Sequence, residues 1–259
     1  MHYFFKFLYS IKIPFFKRLI PSLIKRIFFF NKIKIINLSF AKIKVDLTQA
    51  IDREIYLNGF YEKEQLIFLN KLCNKSNITH FLDIGANIGY YSLFFKKICN
   101  IYSFEPNKIN FLRLQENNEL NNLNLKTYNF GLSNINSESE IWYTNKDKMG
   151  GSAIFDADDH ELKKYNTKNL IKENILIKRL DDILHFKNSN ILVKIDVERH
   201  EKKVLEGMKN LINQNNIIMQ IEIGNDQKKI VFKYLDELKL KWINTIRHDH
   251  YFLKNDLKK

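Results

Sequence analysis

Short apolar runs alternate with longer amphipathic segments along the chain beyond residue 80. This alternation is typical of βαβ units, in which helices join parallel strands and cover both faces of a sheet. The pattern predicts strands at Phe81–Ile84, Ile101–Phe104, Leu125–Phe130, Ile191–Ile195 and Ile217–Ile223. It predicts helices at Gly89–Ile98, at Lys108–Leu120 with Asn107 as N-cap, at Glu201–Asn213 and at Gln227–Leu238.

Weaker hydrophobic patterns lie between and after these predicted strands and helices. Two further strands, near Lys241–Ile246 and Tyr251–Lys254, would complete the sheet. Ile141–Tyr143 and Ile175–Leu180 predict an additional hairpin or edge pair. The polar stretch Thr144–Asn174 has no hydrophobic period, so we expect a loop or lid there.

Three segments between residues 43 and 73 also have patterns that predict local structure. Ile43–Leu47 alternates weakly, as a strand would, and Glu62–Cys73 predicts a helix. Arg53–Tyr61, which lies between them, predicts a turn leading into that helix.

The first 45 residues differ from the rest of the chain in charge. The formal net charge is +13, and this segment contains Lys and Arg but no acid before Asp46. Codon bias towards Lys would raise the charge everywhere, so the local excess indicates a surface that attracts anions. Over residues 1–36 aromatic and basic residues are interleaved, and Pro14 and Pro21 divide the pattern into short pieces.

Two interpretations of residues 1–36 are equally compatible with this pattern. One is a helix in peripheral contact with an anionic membrane. The other is an ordinary amphipathic helix packed on its own domain or on a second subunit. A transmembrane span is not predicted, because basic residues interrupt the apolar runs well before the ~20 residues that crossing requires. The isolated Cys73 and Cys99 predict reduced thiols, so we expect a cytoplasmic protein, with the inner face of the cytoplasmic membrane as its site of peripheral contact.

A glycine-containing turn follows the first strand of the core. Gly85 allows a tight turn and a close approach to a ligand, and Gly89 permits close packing where the helix begins. The helix start offers free N–H groups. Asp83 can accept a hydrogen bond from an amino group, and Glu105, after the second strand, can accept both hydroxyl protons of a ribose.

The identity of residue 87 narrows the class of nucleoside. Dinucleotide sites have G-x-G-x-x-G, in which the second glycine admits a pyrophosphate. This chain has Asn87 in that region. The replacement disfavours a nicotinamide enzyme and favours a nucleoside with an amino-acid end, which is S-adenosyl-L-methionine.

The sequence resembles the FkbM family of methyltransferases from about Glu54 to Lys254. The motifs that carry the resemblance, in the family's order, are Phe81–Ser92, Tyr102–Asn107, Gly131–Ser133, Gly151-Ser152, Arg179–Leu184, Val193–Glu198 with Glu201, Val204–Gly207 and Glu222.

The resemblance implies an α/β, Rossmann-like methyltransferase fold with a seven-stranded, mostly parallel sheet, helices on both faces and an antiparallel last strand. With the basic segment, we expect a basic aromatic N-terminal helical extension over residues 1–45 and a methyltransferase domain over residues 46–259. The implied reaction is O-methylation of a hydroxyl on a sugar, glycolipid or polyketide-type product. By position, the implied cofactor-binding residues are Asp83, Gly85, Asn87, Gly89, Glu105, Gly131 and Leu132, the last two near the adenine.

The chain departs from the family after Val-Glu, where Arg199 stands in place of the usual glycine. If that glycine serves a positive φ or a close approach, Arg199 would disturb the local geometry.

Candidate bases for proton removal cluster just after the fourth strand. Asp196 and Glu198 are the first candidates for the base and His200 is the second, and a helix-start role fits Glu201 equally well. Asp196 with Glu198 or Glu222 could hold Mg²⁺, but two acids at this spacing predict no metal site by themselves. His248-Asp249-His250 is interpreted as a turn, because no third-ligand spacing supports a metal.

Two functions of other classes fit parts of the sequence. The basic N-terminus suits a nucleic-acid methyltransferase, although the base-flipping tetrapeptide Asn/Asp-Pro-Pro-Tyr/Phe is absent after the fourth strand, so we expect a small-molecule or glycan acceptor and no nucleic acid. The basic and aromatic residues 1–36 suit a non-catalytic membrane- or partner-binding module that retains the fold.

Overall fold

The computed structural model describes residues 32–144, 154–155 and 170–254. In chain order the elements are β1 (Ile33–Asn37), β2 (Lys42–Asp46), α1 (Ala50–Asn58), α2 (Lys63–Cys73), β3 (His80–Ile84), α3 (Tyr90–Phe95), β4 (Asn100–Phe104), α4 (Lys108–Leu120), β5 (Lys126–Tyr128), β6 (Gly131–Leu132), β7 (Ser137–Thr144), β8 (Ile154–Phe155), β9 (Leu170–Lys178), a 3-10 turn (Leu180–Asp182), β10 (Asn190–Ile195), α5 (Glu201–Gly207), α6 (Lys209–Gln214), β11 (Asn216–Glu222), α7 (Lys228–Glu237), β12 (Lys241–Ile246) and β13 (Asp249–Lys254).

Seven of these strands form the main sheet, in the order β12-β13-β11-β10-β3-β4-β5. The central pairs are parallel, and β13 runs antiparallel to both of its neighbours. The predicted Rossmann-like sheet with an antiparallel last strand is therefore confirmed. Chain order reverses between β3 and β10, so a crevice is expected at the carboxyl ends of these two strands.

The core consists of two large clusters, one on each face of the sheet. Phe81 packs into one cluster with Leu66 and Phe95, while its neighbour Leu82 packs into the other with Val193. Burial on both faces explains why the central strands appear in the sequence as continuous apolar runs.

A second sheet, in the order β6-β9-β7-β8, stands beside the first. The predicted pairing of Ile141–Tyr143 with Ile175–Leu180 is confirmed within it, because β7 and β9 pair antiparallel. Both strands are longer than predicted and take in the two ends of the Thr144–Asn174 stretch. Most of that predicted loop, including Gly151-Ser152, lies outside the described residues.

The chain before the core contains a helix that the sequence pattern did not predict. The turn expected over Arg53–Tyr61 is wrong, because α1 runs to Asn58 and ends where the Gly59 N–H, at φ 73°, bonds to the Ile55 carbonyl. Ile51 and Ile55 are one helical turn apart and pack into the core, which supplies the helix with its apolar face. Gly59 therefore ends a helix, in the αL conformation common at helix C-termini.

The described part of the N-terminal segment forms a β-hairpin. β1 and β2 pair antiparallel, and Ile43 and Val45 are buried in the same cluster as Phe81. The helix predicted for this segment thus does not include residues 33–46, and residues 1–31 lie outside the described part of the chain.

One smaller difference concerns a single helix. The predicted helix Glu201–Asn213 is divided at Met208 into α5 and α6. None of the helices in the described ranges has the length and apolar character needed to cross a bilayer.

Candidate active site

Gly85 lies where the turn after β3 passes against the end of β10. Its φ is 79°, and a Cβ built there would lie 1.9 Å from the carbonyl oxygen of Asp196. The N–H groups of Gly85 and Ala86 both donate to the carbonyl of Phe104, 3.0 Å away, at the end of β4. The glycine therefore allows three strand ends to converge on one point.

Gly89 and Asn87 shape the rest of the turn. Gly89, at φ 82°, begins α3, and a Cβ there would lie 2.3 Å from Leu114 Cδ1 of α4. Asn87 also has a positive φ, 51°, and its N–H donates to Glu105 Oε2 over 2.8 Å.

Glu105 is held in place by backbone donors at the end of β4. Its second oxygen accepts from the N–H of Asn107 over 2.9 Å. The side chain is 6% exposed, and burial raises its pKa to about 7 although both N–H groups oppose that shift. Asn107 caps α4 as predicted, accepting from the Asn110 N–H over 3.0 Å.

Asp83 anchors the start of α3. Its Oδ2 accepts from the N–H of Ser92, at 3.0 Å, and from the Ser92 hydroxyl, at 2.5 Å. The Ser92 hydroxyl in turn lies 2.7 Å from that of Ser103 on β4. Burial raises the pKa of Asp83, and the cation of Lys194 acts against that shift.

Asp83 belongs to a row of buried polar side chains that crosses the sheet. Ser103, Asp83, Lys194, Gln220 and Tyr251 are paired in register on five adjacent strands. In-register residues point to the same face, and each of the five is at most 5% exposed. Periodicity along the chain does not reveal this row. Its signal is one polar residue near the carboxyl end of each of the four parallel strands, with Tyr251 near the start of the antiparallel β13, but only the pairing register shows that these residues meet.

Lys194 is the cation at the centre of this row. Its Nζ lies 2.8 Å from Asp196 Oδ2 and 4.8 Å from the ring centre of Tyr91. Burial disfavours its charge, but the carboxylates of Asp196, Glu62 and Asp83 outweigh that cost and raise its pKa.

The connection between α1 and α2 covers the polar row. Glu62 has φ 48°, and its Oε2 accepts from the Tyr91 hydroxyl over 2.7 Å. Gln220 Nε2 donates to the same hydroxyl, at 3.2 Å, and to Asp249 Oδ1, at 2.7 Å. The interpretation of His248–His250 as a turn is wrong for Asp249 and His250, because β13 begins at Asp249 and both residues pair with its neighbouring strands. Asp249 thus belongs to the hydrogen-bond network on this face.

The loop after β10 carries the residues predicted as bases. Asp196 is partly exposed, and its N–H donates to the Ile84 carbonyl over 3.0 Å. Glu198 has φ 43° and reaches solvent; desolvation by the surrounding loop and the carboxylates of Asp196 and Glu201 raise its pKa to about 7. His200 is buried, with Nε2 3.0 Å from the Ser133 hydroxyl, so it ties this loop to the segment after β6.

The backbone at Arg199 adopts a conformation that favours glycine. Its φ is 70°, in the left-handed region. The strained backbone is stabilised locally, because the Arg199 N–H donates to Glu201 Oε1 over 2.8 Å. The guanidinium pairs with Asp226 at 2.5 Å. The arginine thus adopts the geometry that favours glycine without disrupting the loop.

Glu222 completes the cluster at the end of β11. Its carboxyl group lies within hydrogen-bonding reach of Asp196, and burial, followed by the charges of Asp196 and Asp249, raises its pKa to about 8. Among the described residues, no group of three His, Cys, Asp or Glu is arranged to hold a metal ion.

Gly131 and Leu132, predicted near the adenine, form β6 at the edge of the second sheet. Leu132 is buried in the core. Sequence reasoning missed Glu173 of β9, whose two oxygens accept from Asn107 Nδ2 and the Lys108 N–H, both over 3.0 Å. This carboxylate joins the second sheet to the start of α4, beside Glu105.

Comparisons with known proteins give relatives of one enzyme class. The family described as Methyltransferase FkbM domain matches residues 83–251. The chain is 28% identical over 173 residues to the hexuronic acid methyltransferase AglP of Haloferax volcanii, which covers 66% of this chain and 67% of that protein.

Solved structures with a similar arrangement are more distant. A methyltransferase FkbM from Methylobacillus flagellatus KT has 16% identity and a TM-score of 0.43, over 68% of this chain and 44% of that one. A Pyrococcus abyssi tRNA (uracil-54, C5)-methyltransferase in complex with S-adenosyl-L-homocysteine has 11% identity and a TM-score of 0.45, over 86% and 44% of the two chains. This chain thus spans less than half the length of either. The family match covers more than half of the chain, including the turn, Glu105 and the loop after β10, and the protein therefore belongs to the FkbM family of methyltransferases.

Proposed function

We propose that this protein transfers the methyl group of S-adenosyl-L-methionine to a hydroxyl of a sugar or of a glycan or glycolipid precursor. The observation that carries the proposal is the convergence of two acidic sites on the crevice between β3 and β10. One is Glu105, presented by backbone donors beside the glycine turn. The other is the Asp196 and Glu222 pair on the far side of that turn.

The residues around the turn fit this cofactor. Gly85 lets the turn pack against the carbonyl of Asp196 and so fixes where the turn lies at the end of β3. Glu105 offers a carboxylate of the kind that binds a ribose diol. Asp83 lies one strand from Glu105 and suits the amino group of the methionine end. Bound there, the cofactor supplies an electrophilic methyl group on a positively charged sulfur.

The name of the archaeal relative supports a sugar as the acceptor. In this chain the acceptor side of the crevice contains Asp196, Glu198 and Glu222, which suit a hydroxyl that must lose a proton during transfer. From the sequence alone, Asp196 and Glu198 are the first candidates for the base that removes this proton. His200 is a weaker candidate, because its Nε2 already contacts Ser133.

Calorimetry with S-adenosylhomocysteine tests the cofactor site. We expect binding by the wild type and a loss of at least ~10-fold in affinity for Glu105→Ala, because the ribose loses a charged acceptor. Glu237→Ala, an exposed carboxylate at the end of α7, is the control and should bind as the wild type does. Equal affinity in Glu105→Ala and wild type would reject this site.

Transfer of a labelled methyl group tests the acceptor. The assay uses the full chain with neutral methyl glycosides, a free hexuronic acid, a glycolipid extract and bulk RNA. We expect label in a sugar fraction. Label in RNA alone would favour a nucleic-acid methyltransferase, and binding of S-adenosylhomocysteine without transfer to any acceptor would favour a non-catalytic module.

A further inference from the structure

The carboxyl groups of Glu222 and Asp196 are neighbours at the carboxyl ends of β11 and β10, one residue beyond the in-register pair Ile221 and Ile195, and they lie within hydrogen-bonding reach of each other. Two carboxyl groups can hydrogen-bond to each other only when one of them carries a proton. Lys194 Nζ lies 2.8 Å from Asp196 Oδ2, which assigns the negative charge of the pair to Asp196. The proton then resides on Glu222.

Resting on the proposed function, we propose that Glu222 is the group that takes the acceptor's hydroxyl proton, and that Asp196, fixed by Lys194, positions it. Glu222 suits this role by its surroundings. It is partly exposed, at the rim of the crevice, whereas Lys194 below it is buried. A substrate can therefore reach Glu222 while the positioning groups stay out of water.

The other groups that face Glu222 have partners of their own. Asp249, its in-register neighbour on β13, accepts from Gln65 Nε2 at 3.1 Å and from Gln220 Nε2 at 2.7 Å. Tyr61 and Glu62 lie above the pair, and Glu62 accepts from Tyr91. Burial and the nearby carboxylates of Glu62, Asp196 and Glu222 raise the pKa of Tyr61, so its hydroxyl stays neutral.

Glu222 is better suited to accept a proton than either residue suggested by the sequence. Asp196 is already engaged by the cation of Lys194, so its carboxylate is not free to accept from an acceptor hydroxyl. Glu198 is exposed to solvent, whereas Glu222 is only partly exposed. Burial and the charges of Asp196 and Asp249 raise the pKa of Glu222 to about 8, while Lys194 opposes the shift. An ionised carboxylate with that proton affinity is a stronger base than an ordinary one near neutral pH.

Methyl transfer to a hydroxyl exchanges one bond at the methyl carbon and moves one proton. The acceptor oxygen bonds to the methyl carbon, the carbon–sulfur bond breaks, and its electron pair neutralises the sulfonium. The hydroxyl proton passes to the ionised Glu222, which later returns it to water.

Infrared titration tests the shared proton without any acceptor. The wild type should show the carbonyl stretching band of a protonated carboxyl group, lost as the pH rises through about 8. The component of this band that titrates at about pH 8 should be missing in Glu222→Gln and retained in the control Glu237→Gln. The components from Glu105 and Glu198, which have pKa values of about 7, should remain in both variants. Removing the cation in Lys194→Met should move the midpoint to higher pH, and removing the like charge in Asp196→Asn should move it to lower pH. An identical band in Glu222→Gln and wild type overturns the assignment of the proton to Glu222.

Kinetics with an acceptor identified by methyl transfer test the catalytic role. We expect Glu222→Gln to lower kcat by about 10²-fold or more while its affinity for S-adenosylhomocysteine stays within ~2-fold of wild type. The wild-type rate should rise with pH through about 8 as Glu222 ionises. In Asp196→Asn this profile should shift to lower pH, with activity retained in part.

Different results would reject the proposed methyl transfer and the role of Glu222 as its base. No transfer by the wild type to any acceptor, with the infrared band present, would reject the proposed function. Transfer at an unchanged rate in Glu222→Gln, or complete loss in Asp196→Asn with transfer retained in Glu222→Gln, would reject Glu222 as the base and leave the proposed function standing.

Discussion

At Gly85 two separate requirements for glycine coincide, a left-handed φ and a contact that leaves no room for a Cβ. Gly59 has nearly the same φ, 73°, but nothing lies within 4 Å of the position of its Cβ. We expect Gly59→Ala to lower the free energy of unfolding by about 1 kcal/mol, through backbone strain alone. Gly85→Ala should cost about 3 kcal/mol or more, because the Asp196 carbonyl must also move.

Urea denaturation of both variants measures the difference. The pair separates conformational strain from steric exclusion, since only Gly85 meets other backbone. Equal losses in Gly59→Ala and Gly85→Ala would show that β3 and β10 can separate at this point at little cost.

Arg199 has a left-handed φ like that of Gly85. Replacing it with glycine should therefore relieve backbone strain, whereas replacing Gly85 with alanine adds it. Arg199→Gly relieves a φ of 70°, but it frees the unfolded chain and removes an ion pair with Asp226. That pair is 39% and 48% exposed, so its contribution is small. We expect the free energy of unfolding to rise by about 0.5 kcal/mol.

Thermal or chemical denaturation of Arg199→Gly checks the sign, and Asp226→Asn measures the ion pair separately. A loss of more than about 1 kcal/mol in Arg199→Gly, with Asp226→Asn unchanged, would mean that the arginine stabilises the loop by contacts other than this pair.

At the scale of elements, Asn117 of α4 joins the N-terminal hairpin to the glycine turn. Its Oδ1 accepts from the Lys44 N–H over 2.7 Å, and its Nδ2 donates to the Ile88 carbonyl over 2.9 Å. The side chain is fully buried. Asn117→Ala leaves both backbone groups without a partner, and we expect it to lower the free energy of unfolding by about 3 kcal/mol.

Asn121, one turn later on the same side of α4, provides the matched control. It exchanges hydrogen bonds with the backbone of Lys42, at 2.9 and 2.7 Å, in a more exposed position. Water can replace those bonds, so Asn121→Ala should cost about 1 kcal/mol. Similar losses in the two variants, measured by denaturation, would contradict a special role for Asn117.

The elements also show how far sequence patterns predict this structure. β3, β4, β10 and β11 are predictable because strands buried on both faces are apolar throughout. α1 is not predictable, because it has only nine residues and the buried Asp52 interrupts its helical pattern of apolar residues. Asp52 can be buried because it pairs with Arg113, which is distant in sequence.

The candidate site likewise has a part that the sequence predicts and a part that only the structure shows. The glycine turn and Glu105 are local motifs, and they can be found in the sequence. The Lys194, Asp196 and Glu222 cluster depends on strand register and on the packing of α2 above the sheet. No spacing along the chain encodes that arrangement.

For the whole molecule, vesicle flotation separates the two interpretations of residues 1–36, peripheral contact with an anionic membrane and packing on protein. Removal of residues 1–36 should abolish co-flotation with vesicles that contain anionic lipid, because this segment combines basic and aromatic residues and has no acid. The full chain with neutral phosphatidylcholine vesicles is the control. Equal flotation of full-length and truncated protein would place the lipid contact elsewhere or exclude it.

The acidic crevice makes the stability of the whole molecule depend on pH. Burial first, then the charges of Asp196 and Asp249, raise the pKa of Glu222 from 4.5 to about 8. The folded state therefore binds more protons than the unfolded state between these values, so this group stabilises the fold fully below pH 4.5 and loses its contribution as the pH rises through about 8. Glu105, with a pKa of about 7, acts in the same sense.

We accordingly expect Glu222→Gln to gain stability relative to the wild type as the pH is raised from 5 to 9. The amide carries no charge, so it avoids the cost of ionising a carboxyl group next to Asp196 and Asp249. Denaturation at several pH values measures the difference, and Glu237→Gln should show none. A difference between Glu222→Gln and wild type that does not change with pH would mean that Glu222 ionises as easily in the folded protein as in the unfolded chain, and the shared proton would then have to be assigned to another group.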